Sequence, residues 1–187
     1  FLALAACKAP VSTPPDPVRA SLDRYLDARV SMGQWSGAVL AAKGNRVILR
    51  RADGYADVDA RLPYRPETRH AVASISKMFT AMAALKLRDR GVLSLDDWLC
   101  DHLDDCPEAW RPVTLQHLMH HRSGIPDYEE RLELGSDAYM DFMTAPGSAV
   151  KILEDARTRP LDFAPGEKFH YSNTGYIALA HALEKAS

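Results

Sequence analysis

Two short groups of residues in this sequence could do chemistry together. The first is Ser74-Ile-Ser-Lys77, a Ser-x-x-Lys. A serine hydroxyl is a poor nucleophile until a neighbouring base takes its proton. Three residues along a helix, Lys77 lies one turn further on the same face as Ser74. A lysine is a base only where its ammonium form is disfavoured, and burial and the positive end of a helix both disfavour it. A helix N-terminus also carries free backbone N–H groups that can hold a developing oxyanion. The second group is Tyr171-Ser172-Asn173. A tyrosine of ordinary pKa, about 10, is protonated at neutral pH. Near an ammonium its anion is favoured, and it can then carry a proton between a serine and a leaving group. Asn173 offers a donor and an acceptor suited to a substrate amide. Each residue also has a plain structural reading: Ser74 as a helix cap, Lys77 as a surface charge, Tyr171 as a core aromatic, Asn173 as an N-cap.

The elements that must position these residues follow from periodicity. From Val72 to Gly91 the apolar residues Met78, Phe79, Ala81, Met82, Ala83, Ala84, Leu85 and Leu87 lie nearly all round a helix. That pattern predicts a buried central helix with Ser74 at its start. Gly91 stops it, with Arg88 and Arg90 in the last turn where cations suit the dipole. Before it, Val18, Leu22, Leu26 and Val30 mark an amphipathic helix over 18–32. Ser36 to Lys43 and Arg46 to Arg51 read as a hairpin turning at Gly44-Asn45, with Asp53 to Asp57 ending or extending the second strand. After it, short helices are expected from Ser94 and from Thr114, each of which is a capping residue. Ser123 to Asp127 is a turn, 129–144 a weak helix, and 149–158 a helix with Val150 and Leu153 inward. Phe163 to Gly166 is a turn, and Gly175 to Lys185 a final helix. Two strands followed by a mostly helical run make an α+β chain with an unfinished sheet.

Together the two groups resemble the penicillin-recognising serine hydrolases, and within them the branch of class C β-lactamases, D,D-peptidases and esterases. Two further stretches carry the resemblance, Leu118-Met-His-His-Arg-Ser-Gly-Ile-Pro-Asp-Tyr128 and Phe163-Ala-Pro-Gly166 leading into Tyr171-Ser-Asn-Thr-Gly-Tyr176. The resemblance implies an antiparallel sheet flanked by helices plus an all-helical region. It makes Ser74 the nucleophile, Lys77 its base, Tyr171 a second proton-transfer residue and Asn173 a substrate contact. The backbone N–H of Ser74 would be one oxyanion donor, and His121 and Ser123 would be structural. The chemistry needs no cofactor, and the substrate would be a β-lactam, a peptidoglycan-derived D-Ala-D-Ala peptide or an ester. The family's third motif, a Lys- or His-x-Gly, does not follow Tyr171. Residues 18–187 are therefore expected to be the N-terminal part of a serine hydrolase domain, lacking C-terminal sheet strands and inactive alone. The rivals are a penicillin sensor that acylates without turnover and a membrane-tethered pseudoenzyme. Intact Ser74, Lys77 and Tyr171 argue against the pseudoenzyme.

At 187 residues with 47% apolar content the chain can build a core. A net charge of -2 gives no footprint for nucleic acid, and no apolar run approaches the roughly 20 residues that span a bilayer. His117 and His121 stand at i, i+4, a spacing that can bind zinc, but no third ligand is recognisable. Asp96-Asp97 and Asp104-Asp105 read as solvated faces or caps rather than paired acids.

Residues 1–6 read as the remnant of a signal peptide, because Leu4-Ala-Ala-Cys7 resembles the bacterial lipobox. That resemblance implies cleavage before Cys7, acylation of Cys7, and an exported protein held to a membrane by lipid at the periplasm or cell surface. Residues 7–17, rich in proline, read as a stiff tether. In an exported domain Cys100 and Cys106 are expected to pair, since Pro107 and Asp104-Asp105 suggest that the chain turns back after a short helix; two buried free thiols are the alternative. If Cys7 is the anchor, Cys7→Ser should move the protein from the membrane to the soluble fraction. Equal partition of both forms on fractionation would count against it.

Overall fold

The structure is a computed structural model describing residues 16–131 and 135–187. Cys7, residues 1–6 expected to be a signal remnant, and nearly all of residues 7–17 expected to be a tether lie outside the described residues. The chain divides into two units, Phe1–Ala71 and Val72–Ser187.

In the first unit, α1 spans Pro17–Ser31, with the Asp16 carboxylate accepting from the Val18 N–H at 3.0 Å. Pro17, placed in the tether by composition, is the first residue of this helix, where its missing N–H costs nothing. Strands β1 (Gly37–Lys43) and β2 (Arg46–Asp53) pair antiparallel around the Gly44-Asn45 turn. Gly54 then breaks the strand at φ +77°, and the chain forms a second small ladder from β3 (Tyr55–Asp57) and β4 (Leu62–Pro63). Arg51 on β2 joins the sheet to α1 through Asp23 at 3.4 Å and Asp27 at 2.7 Å, and it also pairs with Asp53 at 2.7 Å.

The core lies in the second unit. Its helices are α2 (Ser76–Asp89), α3 (Leu115–Met119), α4 (Asp137–Thr144), α5 (Ser148–Arg157) and α6 (Asn173–Ala186). α6 is the axis of this unit: α2, α3 and α5 all pack on it. Its Ala178, Leu179 and Ala182 are fully buried against Leu99, Trp110 and Leu115. Thr114 closes α3 with a capping box, accepting from the His117 N–H while His117 Nδ1 accepts from the Thr114 N–H.

Several expectations change. α2 is not buried: Ala84 is its one buried residue, while Met78, Phe79 and Met82 are 70%, 72% and 64% exposed. An apolar helix is covered only by what packs on it, and α6 covers one face. No helix forms from Ser94; the Leu95 and Asp97 carbonyls accept instead from the Gln116 and Leu115 N–H groups, at 2.8 and 3.1 Å, which ties this stretch to the start of α3. Among the described residues of the expected weak helix over 129–144, Glu129–Arg131 form a 3-10 turn and Asp137–Thr144 form α4. On α5, Leu153 points inward with Ile152 and Ala156, whereas Val150 is 49% exposed, because the buried stripe follows the 3.6-residue repeat from Ile152. α6 starts two residues earlier than expected, with Ser172 as its cap. Cys100 and Cys106 are joined in a disulfide.

An apolar patch of this kind drives association. The 187-residue polypeptide is expected to self-associate, and replacing Met78, Phe79 and Met82 together by Gln should restore a monomer on size-exclusion chromatography. A monodisperse monomer without those changes would overturn this.

Candidate active site

Ser74 sits in a 3-10 turn, Ala73–Ile75, that runs directly into α2. Ala73 just before it has φ +45°, a left-handed conformation that a residue with a Cβ rarely adopts. From α2, Lys77 Nζ donates to Ser74 Oγ at 3.2 Å and to Asn173 Oδ1 at 2.6 Å. Ser74 Oγ lies 2.6 Å from the Tyr171 hydroxyl. The ammonium of Lys77 stands over the Tyr171 ring, 4.8 Å from its centre. The structure therefore brings all four expected residues, Ser74, Lys77, Tyr171 and Asn173, into one hydrogen-bonded group.

The electrostatics of Tyr171 are a contest. Burial pushes its phenol upward, but hydrogen bonds with Lys77 and Ser74 and the charge on Lys77 outweigh that, so its pKa falls below the usual tyrosine value. His121 stacks on its other side, with ring centres 4.4 Å apart. Burial first, then the charge on Lys77, holds His121 below the ordinary histidine range. It is thus neutral, and its Nδ1 accepts from the Ser172 N–H at 3.1 Å.

Tyr171 and Asn173 flank the start of α6, and the 121–128 segment fixes that start. The Asp127 carboxylate is buried and accepts from the N–H groups of Asn173 and Thr174 through Oδ2 and of Glu129 through Oδ1. It thereby satisfies first-turn donors that have no partner within a helix, at the end where negative charge is favoured. Ser172 caps the same turn by accepting from the Gly175 N–H at 2.9 Å, and its hydroxyl donates to the Ile125 carbonyl at 3.2 Å. Backbone bonds from His170 to His121 and from Gly166 to Arg122, each 2.8 Å, tie the two motif stretches together. Gly124 allows that approach: a Cβ there, at φ +76°, would lie 2.1 Å from the Phe163 carbonyl oxygen.

Ser123 is buried and accepts from the Ile125 N–H, in keeping with a structural role. His117 and His121 do not form a ligand pair on one helix, since α3 ends at Met119 and each ring has one nitrogen bound to a backbone N–H. Among the described residues no group of three or more His, Cys, Asp or Glu could hold a metal ion. Sequence reasoning missed Asp127, because nothing local links a turn carboxylate to a helix 46 residues on. It also missed Glu129, which lines the same 540 Å³ cavity as Ser74 and Lys77.

The family model described as Beta-lactamase matches residues 22–187. The chain belongs to the β-lactamase family. It is 34% identical over 154 residues to penicillin-binding protein 4* of Bacillus subtilis (strain 168), covering 82% of this chain and 33% of that protein. A penicillin-binding protein from Bacillus halodurans has the same fold, with a TM-score of 0.72 at 33% identity over 87% of this chain and 48% of that one. So does a D-amino acid amidase from Ochrobactrum anthropi SV3, with a TM-score of 0.68 at 25% identity over 86% and 42% of the two chains. The chain is thus part of an α+β β-lactamase-family hydrolase fold, and it spans about a third of the length of the curated relatives it matches.

In this β-lactamase-family chain the Tyr171-Asn173 side of the site depends on one buried carboxylate. Asp127→Ala should destabilise the protein by about 3 kcal/mol, as expected for losing charge-assisted hydrogen bonds to buried donors. Asp127→Asn, which keeps an acceptor oxygen, should lose less. Urea unfolding of the three forms measures this, and equal midpoints would show that α6 needs no such cap.

Proposed function

We propose that the whole protein is a serine hydrolase acting on amide or ester carbonyls through an acyl-enzyme at Ser74. One observation carries this: Ser74 Oγ is held between the Tyr171 hydroxyl at 2.6 Å and the Lys77 ammonium at 3.2 Å. The Ser74 proton passes to Tyr171, the closer group and the one whose anion Lys77 favours. Ser74 Oγ then bonds to the substrate carbonyl carbon, and the carbonyl oxygen takes the negative charge. The Ser74 backbone N–H, at the open start of the helical stretch, is one donor for that oxyanion. Collapse breaks the bond to the amine or alkoxide, which leaves with the proton held by Tyr171. Water, giving its proton to the same tyrosine, then cleaves the ester on Ser74 and restores the hydroxyl. Lys77, expected from the sequence to be the base itself, serves in this scheme to keep Tyr171 acidic. Asn173 holds Lys77 through its Oδ1 and has its amide N–H₂ left to meet the substrate.

Relatives named as penicillin-binding proteins and an amidase support amide-type carbonyls as substrates. Export and a lipid on Cys7 belong to the same proposal. The Cys100–Cys106 disulfide supports export, since such bonds persist in oxidising compartments.

Mass spectrometry of the whole protein with a penicillin and with an activated ester tests the reading. A transient adduct on Ser74 marks a hydrolase and a lasting one marks a sensor. No adduct with either reagent, in a protein shown to be folded, overturns it. Tyr171→Phe should slow acylation by roughly 10²–10⁴. The rate should rise with pH along a limb lying below the ordinary tyrosine value of about 10, because Lys77 lowers the phenol. Lys77→Gln should move that limb upward, and an unmoved limb would remove Tyr171 as the base.

A further inference from the structure

The mechanism uses one wall of the 540 Å³ cavity, that of Ser74, Lys77 and Asn173. The facing lining includes Tyr128, Glu129 and Tyr139, and none of these has a task in moving protons. Glu129 is held there by built contacts. Its N–H donates to Asp127 Oδ1 at 2.9 Å, which ties its backbone to the same carboxylate that caps α6. The hydroxyls of Tyr128 and Tyr139 both donate to its Oε1, at 3.3 and 3.4 Å. Oε2 accepts no hydrogen bond among the described residues. Its sequence neighbour Glu130 pairs with His170 at 2.8 Å, whereas among the described side chains none forms an ion pair with Glu129.

A half-buried carboxylate whose side-chain hydrogen-bond donors are all neutral is incompletely compensated, and a directly bound cation is the partner it lacks. Its charge also acts on the reacting groups: Glu129 raises the Tyr171 phenol, against the effect of Lys77. A cation seated on Glu129 would cancel that opposition, so a substrate bringing one would help ionise Tyr171.

We propose that Glu129 is the subsite for a substrate ammonium, and that the protein prefers amides or esters carrying a free amine near the scissile carbonyl. This rests on the reading of Ser74 as the acylated residue. A site built for a charged group discriminates strongly against an analogue lacking it, because its own polar group is then left unpaired.

The test compares racemic alanine p-nitroanilide with racemic lactic acid p-nitroanilide in the whole protein, the second having a hydroxyl where the first has an amine. At pH 7 an α-amine of pKa about 7.7–8.0 is mostly charged. Unaltered protein should favour the alanine substrate by roughly tenfold or more in kcat/KM, mainly through KM. Glu129→Gln should bring the ratio close to one, and Glu129→Asp should keep part of it. The same pair is titrated by calorimetry into Ser74→Ala protein, with and without Glu129→Gln, so that binding is read without acylation. No preference in binding, or a preference unchanged by Glu129→Gln, overturns the subsite. A binding preference that Glu129→Gln abolishes, in a folded protein that forms no adduct on Ser74 with a penicillin or an activated ester, upholds the subsite and overturns the reading of Ser74.

Discussion

The site depends on a single buried charge, the carboxylate of Asp127. It accepts from two N–H groups of the first turn of α6 and from the N–H of Glu129. An α-helix leaves its first N–H groups unpaired, and burying them without acceptors is costly. Here the acceptor comes from a loop distant in sequence, so satisfying the helix also docks the loop. The docked loop in turn supplies His121, which stacks on Tyr171 and takes the Ser172 N–H. Thr174 completes the exchange by accepting from the Tyr128 N–H at 3.0 Å. Each motif thus fixes the backbone of the other, and the side chains that could do chemistry inherit their positions from that exchange.

The charge pattern follows from the same arrangement. Lys77 reaches four groups: it donates to Ser74 and Asn173 and stands over the rings of Tyr171 and Tyr176. A protonated His121 would place a second cation next to it. Burial and the charge on Lys77 keep the imidazole neutral, which also leaves Nδ1 able to accept from the backbone. The neutral state is therefore required twice, once by electrostatics and once by the hydrogen bond that orients the Tyr171-Asn173 segment. Burial of Tyr176 beside Tyr171 raises its phenol, so that ring stays neutral and Tyr171 is the ionisable one of the pair.

Much of this was legible in the sequence, for local reasons. The spacing of Ser74 and Lys77 reports one helical turn. The hairpin at Gly44-Asn45 and the cap at Thr114 are written in two or three adjacent residues. What the sequence did not reveal is non-local. Burial of α2 depends on what packs against it, and periodicity records only that the helix is apolar all round. The Ser94 segment failed as a helix because its backbone bonds to a distant stretch: the Leu95 and Asp97 carbonyls accept from the Gln116 and Leu115 N–H groups, a pairing that local capping signals do not report. Asp127 looked like any turn residue because its partners lie 46 and 47 residues away.

Helix starts, rather than helix bodies, carry the chemistry here. Ser74 precedes α2 and Lys77 is in its first turn, while Tyr171 precedes α6 and Asn173 is its first residue. Both starts lie within Val72–Ser187, and all four residues belong to that unit. The exposed apolar face of α2, at Met78, Phe79 and Met82, takes no part in the bonds that join them. The exposed apolar residues and Lys77 therefore occupy different faces of α2, and the bonds of the site do not run through the apolar face. Asp127, which touches none of the reacting atoms, bears on the site instead, through the N–H groups at the start of α6.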